Sequence, residues 1–405
     1  MSIQYVQGKP LFTDINKNYQ QYPYLTEDLE TEICIIGGGV TGALASYYLS
    51  KNNIKNVILE KKRVAHLSTS ITTALLQYEL DDKLADLTEY TSSENVIKSY
   101  KLGLKALDEI EEFIDTYGNE SDYKKRDTLL YTSKKDEIKG IKIEYDHRKE
   151  NGFDVQYIDQ TYSGFSFDVK AGIISKNGGA EIDPYKFTRQ LLKVSGSKCT
   201  EIYENTEVID LIHYDDHIDV ITEFGYKVRA KKVIVATGYN TSLFTDRNFA
   251  TKTTSFNIVT KPVSNIEGWN ERILIRDNSD PYNYLRTTMD NRMIIGGEDV
   301  RFIPDIFNEK MAEEKYDILE NRLKSMFPNI KDIEIEYKYC GAFYSTADNM
   351  GFIGPDNKHN NLWYLLGYGA NGILFAVLGA AMLTKLYKGE YDEDMKLFKV
   401  DRFDN

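Results

Sequence analysis

The sequence predicts two interleaved domains: an α/β domain of Rossmann-like topology and an α+β domain built on an antiparallel sheet. A glycine-rich loop at residues 37–42 follows an apolar run at 32–36 and precedes a helical pattern that continues to residue 51. A later apolar run at 232–236 ends on a turn of Thr and Gly. Residues 251–300 form short alternating runs separated by turn residues, which is typical of antiparallel strands.

The remaining elements follow in order along the chain. The first helix leads to a second buried strand at 56–59, which completes a β–α–β unit. Residues 96–150 are acidic and helical in pattern, and alternation appears at 127–132 and 155–175. The later predicted elements are a helix at 184–193, strands at 207–212 and 218–228, and a helix at 308–327 that ends before Pro328.

The length and composition fit two globular domains. The chain has 405 residues, of which 41% are hydrophobic and 28% are charged, so it can bury a sizeable core. We assign residues 1–30 to an N-terminal arm, 31–95, 170–250 and 345–392 to the α/β domain, 96–169 and 251–344 to the α+β domain, and 393–405 to a C-terminal tail.

Charge and cysteine content limit the partners and the compartment. A formal net charge of −13 disfavours nucleic acid as a partner, because like charges repel. Cys34, Cys199 and Cys340 are widely spaced, and an odd, sparse set indicates reduced thiols. The N-terminus has no apolar stretch of the kind that a secretory signal requires. These observations predict a cytoplasmic protein, and they leave its oligomeric state open.

One apolar stretch, at residues 362–386, resembles a membrane span in composition. Gly367, Gly369, Asn371 and Gly372 interrupt it and leave a clean run of about 10–14 residues, whereas a spanning helix needs about 20. We therefore expect a buried strand followed by a buried helix, and no membrane span.

The first glycine loop predicts a dinucleotide site. Gly37 allows the tight turn, Gly39 lets the backbone approach a pyrophosphate, and Gly42 permits close packing of helix and strand. The N–H groups at the helix start attract the anion. Glu60 ends the second strand, where its carboxylate can accept hydrogen bonds from ribose hydroxyls. The candidate contacts in this region are Gly37, Gly39, Val40, Thr41, Gly42, Glu60 and Lys61.

Further segments carry a resemblance to a known family. They are a Ser/Thr-rich helix start at 68–76, a strand at 207–209, a Val-Ala-Thr-Gly turn at 235–238, a hairpin at 284–297 and a glycine turn at 367–373. With the first loop, they resemble the FAD-dependent oxidoreductases of the D-amino-acid oxidase, glycine oxidase and sarcosine oxidase type. Within that family, the pattern is most similar to members like γ-glutamylputrescine oxidase.

The resemblance implies a non-covalently bound FAD and a Rossmann-like domain of the glutathione-reductase type, interleaved with a substrate domain. Backbone N–H groups of the last glycine turn would stabilise the negative charge of the reduced flavin. By this resemblance, the further candidate contacts of FAD are Ser68, Thr69, Thr72, Thr73, Ala74, Leu75, Val208, Thr237, Gly238, Gly367, Gly369, Asn371, Gly372 and Ile373.

The resemblance also implies an activity. Members of the family oxidise a C–N bond of a small amine or amino acid: a hydride passes to flavin N5, and the imine product is hydrolysed. Either O2 or another acceptor then reoxidises the flavin. Two alternatives remain open: a dehydrogenase of the same fold acting on 2-hydroxy acids, and a non-catalytic FAD-binding protein.

One position departs from the family pattern. Glycine and D-amino-acid oxidases place an Arg against the substrate carboxylate, whereas the equivalent position here is Phe343. A Phe makes no ion pair, which argues against simple α-amino acids bound in the usual pose. Arg286 is the alternative anion contact, and Tyr284 and Tyr344 are further candidates for binding substrate.

Two other kinds of site are not expected. Some sarcosine-type relatives attach FAD to a Cys near this region, but Cys340 is one residue out of register, so we interpret it as a buried thiol. The five histidines show no metal-binding spacing, so no metal is expected.

Overall fold

The computed structural model describes residues 6–17, 21–303 and 308–404. The predicted N-terminal arm and C-terminal tail therefore lie partly outside the described residues. The helices are α1 (Leu11–Ile15), α2 (Val40–Lys51), α3 (Ser68–Ile71), α4 (Leu84–Leu87), α5 (Ser93–Tyr117), α6 (Ile138–Glu150), α7 (Pro184–Gly196), α8 (Glu309–Met326) and α9 (Gly372–Tyr387), with 3-10 turns at Asn270–Arg272 and Glu393–Phe398.

The strands form two sheets. They are β1 (Val6–Gly8), β2 (Leu29–Ile36), β3 (Asn56–Leu59), β4 (Leu75–Gln77), β5 (Lys124–Thr132), β6 (Val155–Asp159), β7 (Ala171–Glu181), β8 (Thr200–Tyr203), β9 (Val208–His213), β10 (Ile218–Thr222), β11 (Lys227–Val235), β12 (Thr251–Thr260), β13 (Leu274–Asp277), β14 (Asn283–Thr287), β15 (Met293–Arg301), β16 (Ile335–Ser345), β17 (Phe352–Pro355) and β18 (Leu362–Leu366).

The smaller sheet has the order β17-β18-β11-β2-β3-β8, with β10 and β9 attached to β11 as an antiparallel ribbon. Strands β18, β11, β2, β3 and β8 are parallel to one another. Helices cover a parallel sheet, and the apolar stretches of its strands at 33–36, 57–59, 233–235 and 362–366 are accordingly buried. The predicted β–α–β unit is confirmed as β2–α2–β3, and with it the Rossmann-like part of the fold class.

The larger sheet has the order β1-β16-β12-β15-β14-β13-β5-β7-β4, with β6 paired to β7. Its pairings are antiparallel except for β13 with β5. The predicted hairpin at 284–297 forms between β14 and β15, where Thr287 pairs with Met293. Asn291 lies in the connecting turn and takes a φ of +64°, a conformation that hairpin turns require and that Asn tolerates.

The helical pattern at 96–150 corresponds to α5 and α6, and the alternation at 127–132 corresponds to β5, which lies between them. One detail differs from the sequence-based expectation. Strand β7 pairs within the larger sheet, although the predicted boundary at 170 grouped it with the α/β domain. Long-range pairing to strands elsewhere in the chain overrides the local pattern.

The N-terminal arm packs against both sheets' helices through α1. Leu11 and Phe12 are fully buried, and they share an apolar cluster with Ile71 of α3 and Tyr339 of β16. Asn16 Nδ2 donates a hydrogen bond of 2.9 Å to Asp183 Oδ2 at the start of α7. Within the described residues, none of the helices combines the length and the hydropathy that crossing a membrane would require.

Candidate active site

The first glycine loop is closed so tightly that two of its glycines have no room for a side chain. Gly37 has a φ of +113°. A Cβ there would lie 2.5 Å from the carbonyl oxygen of Ala236, and one on Gly42 would lie 1.9 Å from that of Gly37. Helix α2 begins after Gly39, a residue that supplies no capping side chain of its own. The loop therefore brings the N–H groups of a helix start to the edge of the sheet, where an anion binds favourably.

Glu60 joins the loop to the end of β3. Its Oε2 accepts a 2.8 Å hydrogen bond from the Gly38 N–H, and its Oε1 accepts one of 2.9 Å from the Lys62 N–H. Burial raises the pKa of this carboxyl above its ordinary value. The neighbouring Lys61 is partly exposed. Contacts of Glu60 and Lys61 with a dinucleotide stay a prediction.

The Ser/Thr-rich segment lies directly beside this loop. Thr69 Oγ1 accepts a 3.0 Å hydrogen bond from the Val40 N–H in the first turn of α2. Thr72 Oγ1 accepts one of 3.1 Å from the Ala74 N–H, and Ala74 takes a φ of +52°. These bonds turn the chain from α3 into β4. They leave Ser68, Thr72, Thr73 and Leu75 in the wall of a cavity.

The last glycine turn reaches the same place from the other end of the chain. A Cβ on Gly367 would lie 2.1 Å from the carbonyl oxygen of Gly372, so the turn is as compact as the first one. Asn371 precedes α9, and its Nδ2 donates to the carbonyl oxygen of Gln77 at 2.8 Å. Tyr368 Oη donates to the carbonyl oxygen of Gly238 at 3.0 Å. The turn at Gly238 and the turn before α9 are thereby held together.

These segments fit FAD. Two helices, α2 and α9, begin here after N-cap residues that make no side-chain capping hydrogen bond, and glycines without room for a Cβ shape both approaches. The N–H groups of one such helix start can bind a pyrophosphate, and those of another can bind the negative edge of a reduced flavin. Val208 lies at the start of β9, away from the cavity wall, and its contact with FAD stays a prediction.

The cavity has an empty volume of about 830 Å³ and lies between the glycine segments and the larger sheet. Gly369 and Ala370 contribute to one side. The side chains on the sheet side and around it are Gln77, Asp81, Tyr239, Ser255, Asn257, Arg276, Tyr282, Tyr284, Asp299 and Phe343. The lining combines polar and charged side chains with aromatic rings, as sites for small molecules do.

Tyr284, a predicted candidate, lies in this wall. Its hydroxyl is 2.9 Å from Ser255 Oγ and donates to Asn257 Oδ1 at 3.3 Å. Gly296 on the adjacent strand makes room for the ring, since a Cβ there would lie 2.4 Å from it. Strands β12, β14 and β15 therefore present one connected polar surface to the cavity.

Arg286, the predicted anion contact, is not part of this wall. Its side chain is buried, its guanidinium lies 5.5 Å from the ring of Phe12, and it faces a second cavity beneath the N-terminal arm. Tyr344 stacks on Tyr239 at 4.0 Å between ring centroids, so it supports a wall residue from behind. Cys340 is buried in the apolar cluster that packs against α8.

Sequence reasoning missed the charged groups of the cavity. Arg276 Nη1 donates to the carbonyl oxygens of Leu80 at 2.7 Å and Asp81 at 2.6 Å. Asp81 Oδ2 accepts a 3.2 Å hydrogen bond from the Ala370 N–H, and burial raises the pKa of this carboxyl to about 6. Asp299 is the third charged residue of the cavity wall. Single charges at strand ends form no motif, so no local signal in the sequence marked them.

Comparison with known proteins agrees with this geometry. The family described as FAD dependent oxidoreductase (DAO) matches residues 32–386. The probable oxidoreductase OrdL of Haemophilus influenzae is 21% identical over 399 residues, covering 96% of this chain and 89% of that protein. The γ-glutamylputrescine oxidoreductase of Escherichia coli is 22% identical over 388 residues, covering 92% and 87%.

A solved structure shows the same fold. L-amino acid deaminase from Proteus myxofaciens superposes with a TM-score of 0.78 at 15% sequence identity, and the match covers 100% of this chain and 99% of that one. At this identity the likeness extends to the fold.

Proposed function

The chain belongs to the DAO family of FAD-dependent oxidoreductases, and on that premise we propose that it oxidises the C–N bond of an amine or amino acid derivative. When bound, FAD supplies the two-electron step by accepting a hydride at N5 from the carbon that bears the nitrogen. The imine product is hydrolysed by water. O2 or another acceptor takes the electrons in the second half of the cycle.

The observation that carries this proposal is the charged and aromatic wall that faces the flavin-binding segments. Phe343 and Tyr239 give one part of the cavity an aromatic surface. Ser255, Asn257 and Tyr284 form a hydrogen-bonded group that orients a polar substrate. These residues would hold a small molecule against the segments that bind the flavin.

The carboxylates suit an amine better than an alcohol. An amine binds as an ammonium at neutral pH and must lose a proton before its carbon can give up a hydride. Asp81 Oδ1 is a buried atom that no donor among the described residues reaches by a hydrogen bond. This atom can accept that proton. A hydroxy acid carries no such charge, which is why we place it second.

The names of two similar proteins also favour an amine or amino acid derivative as the substrate. These names specify a γ-glutamylated diamine and L-amino acids as what those proteins act on. Both are compounds with an oxidisable C–N bond. A substrate of this class is consistent with the cavity's size and charge.

We expect an amine to bleach the flavin in the absence of oxygen. The purified holoenzyme is mixed anaerobically with separate panels of amines, amino acids and 2-hydroxy acids, and the yellow absorbance is followed. Bleaching by a member of the first two panels is the expected result. Bleaching by hydroxy acids alone would favour the 2-hydroxy acid dehydrogenase, and no bleaching by any panel would favour a non-catalytic FAD-binding protein.

We also expect Arg276, rather than Arg286, to contribute to the binding of an anionic substrate. Arg276→Lys keeps a donor for the Leu80 carbonyl but loses the fork that binds a carboxylate. It should raise the KM of a carboxylate-bearing substrate about tenfold, the lower end for a charged hydrogen bond. Arg286→Lys is the matched control and should leave KM within about twofold. A larger effect at Arg286 in steady-state kinetics would restore the sequence-based assignment.

A further inference from the structure

Asp299 lies at the end of β15 with one face in the active-site cavity. Its Oδ2 accepts a weak hydrogen bond of 3.4 Å from Thr253 Oγ1. Its Oδ1 is buried and has no hydrogen-bond partner in the described parts of the chain. The charge of Lys315 acts on Asp299, but the Lys315 ammonium is itself paired with Glu298 at 3.0 Å. Asp299 is thus a carboxylate with an unsatisfied oxygen, and burial without a partner is costly.

The charge balance of the cavity is negative. Arg276 is the one basic residue among the described residues of its wall, whereas Asp81 and Asp299 both contribute carboxylates. Arg276 Nη1 donates to two backbone carbonyls and lies 3.8 Å from Asp81 Oδ1. The charges of Arg276 and Asp81 therefore largely cancel each other. The side chain of Asp81 is 10% exposed. The charge of Asp299 has no counterpart within the wall.

The aromatic residues around Asp299 favour a cation as well. The rings of Tyr282 and Tyr284 both line the cavity, with centroids 5.9 Å apart and planes inclined by 47°. Ring faces attract an ammonium group through their quadrupole. The pKa of the Tyr282 hydroxyl is raised by burial and by the charges of Asp81 and Asp299, as expected where the potential is negative.

From this arrangement we infer that the substrate carries a second positive charge, as a diamine or a basic amino acid does, and that Asp299 binds that distal charge between Tyr282 and Tyr284. The inference rests on the proposed function, because it concerns the same cavity. It goes further by specifying which members of the amine class are bound. Burial also raises the pKa of Asp299, and a bound ammonium would relieve that cost.

The test compares ligands that differ at one end. Holoenzyme is titrated by calorimetry with 1,5-diaminopentane and with 1-aminohexane, in which a methyl group replaces the distal ammonium. We expect the diamine to bind about tenfold more tightly, the size of one hydrogen bond between charged groups. Asp299→Asn, which preserves the side-chain shape, should remove most of this preference and leave the monoamine unchanged.

Glu313→Gln is the matched control. It removes one negative charge from a residue that does not line the cavity and pairs with Lys338, so Lys315 stays paired with Glu298 and the preference for the diamine should persist. Equal binding of the two ligands by the unaltered enzyme would overturn the inference. So would an Asp299→Asn variant that weakens both ligands alike or neither.

The outcome is separable from that of the proposed function, because calorimetry requires no turnover. A diamine that binds through Asp299 without any amine bleaching the flavin would contradict the activity and support the binding site. If amines without a distal charge bleach the flavin and the enzyme shows no preference for the diamine, the activity is supported and the binding site is contradicted.

Discussion

Gly42→Ala is expected to yield a protein that does not retain FAD. The added Cβ would lie 1.9 Å from the carbonyl oxygen of Gly37, a backbone atom that cannot rotate away. Relief requires α2 to move away from the loop, at a cost of about 3 kcal/mol or more. The better helix propensity of Ala returns only about 1 kcal/mol, so the clash decides the outcome. Because the clash distorts the helix start that binds the pyrophosphate, FAD affinity should fall at least about a hundredfold.

The measurement is the flavin content of the purified variant and the Kd for added FAD. Gly140→Ala is the control, since it is also a glycine within a helix but has no atom within 4 Å of the added Cβ. We expect it to stay yellow and to gain about 0.5–1 kcal/mol of stability from propensity. A yellow Gly42→Ala protein with unchanged affinity would show that the contact of α2 with the loop is not required.

The FAD-binding segments could be predicted because their signals are local. Gly37, Gly39 and Gly42 stand within six residues, and their spacing follows from the geometry of a single turn. This pattern indicated a dinucleotide, and the family and the FAD that the resemblance of the further segments implied are confirmed. The last glycine turn before α9 was found in the same way, from residues that are consecutive in the chain.

The charged wall of the cavity could not be predicted because its members are far apart in sequence. Asp81, Arg276 and Asp299 come from three segments that only the pairing of the larger sheet brings together. Arg286 illustrates the difficulty. It follows Tyr284 on the same face of β14, yet two residues, or about 7 Å, along a strand carry it out of the cavity. Alternation identifies the face of a strand but not the position of a cavity along it.

A second large effect, on the free energy of unfolding, is expected from replacing Arg148. This residue stabilises the segment around Glu79 that leads to the cavity. Its side chain is fully buried in α6, where Nε donates to Glu144 Oε1 at 2.8 Å and Nη1 donates to Glu79 Oε1 at 3.0 Å. Glu79 also accepts hydrogen bonds from Thr128 and Ser175. Since Glu79 lies two residues before Asp81, this cluster fixes one edge of the active site.

We expect Arg148→Met to lower the free energy of unfolding by about 3–5 kcal/mol, because two buried carboxylates lose their cation. Adding Glu79→Gln to that variant should recover part of the loss, since one of the two unpaired charges is then gone. Lys142→Met, which breaks an exposed pair with Asp146 on the same helix, should leave the free energy of unfolding nearly unchanged. Urea unfolding of the four proteins measures these differences. If Arg148→Met and Lys142→Met shift the midpoint equally, the buried cluster contributes no more than a surface ion pair and does not stabilise the edge of the cavity.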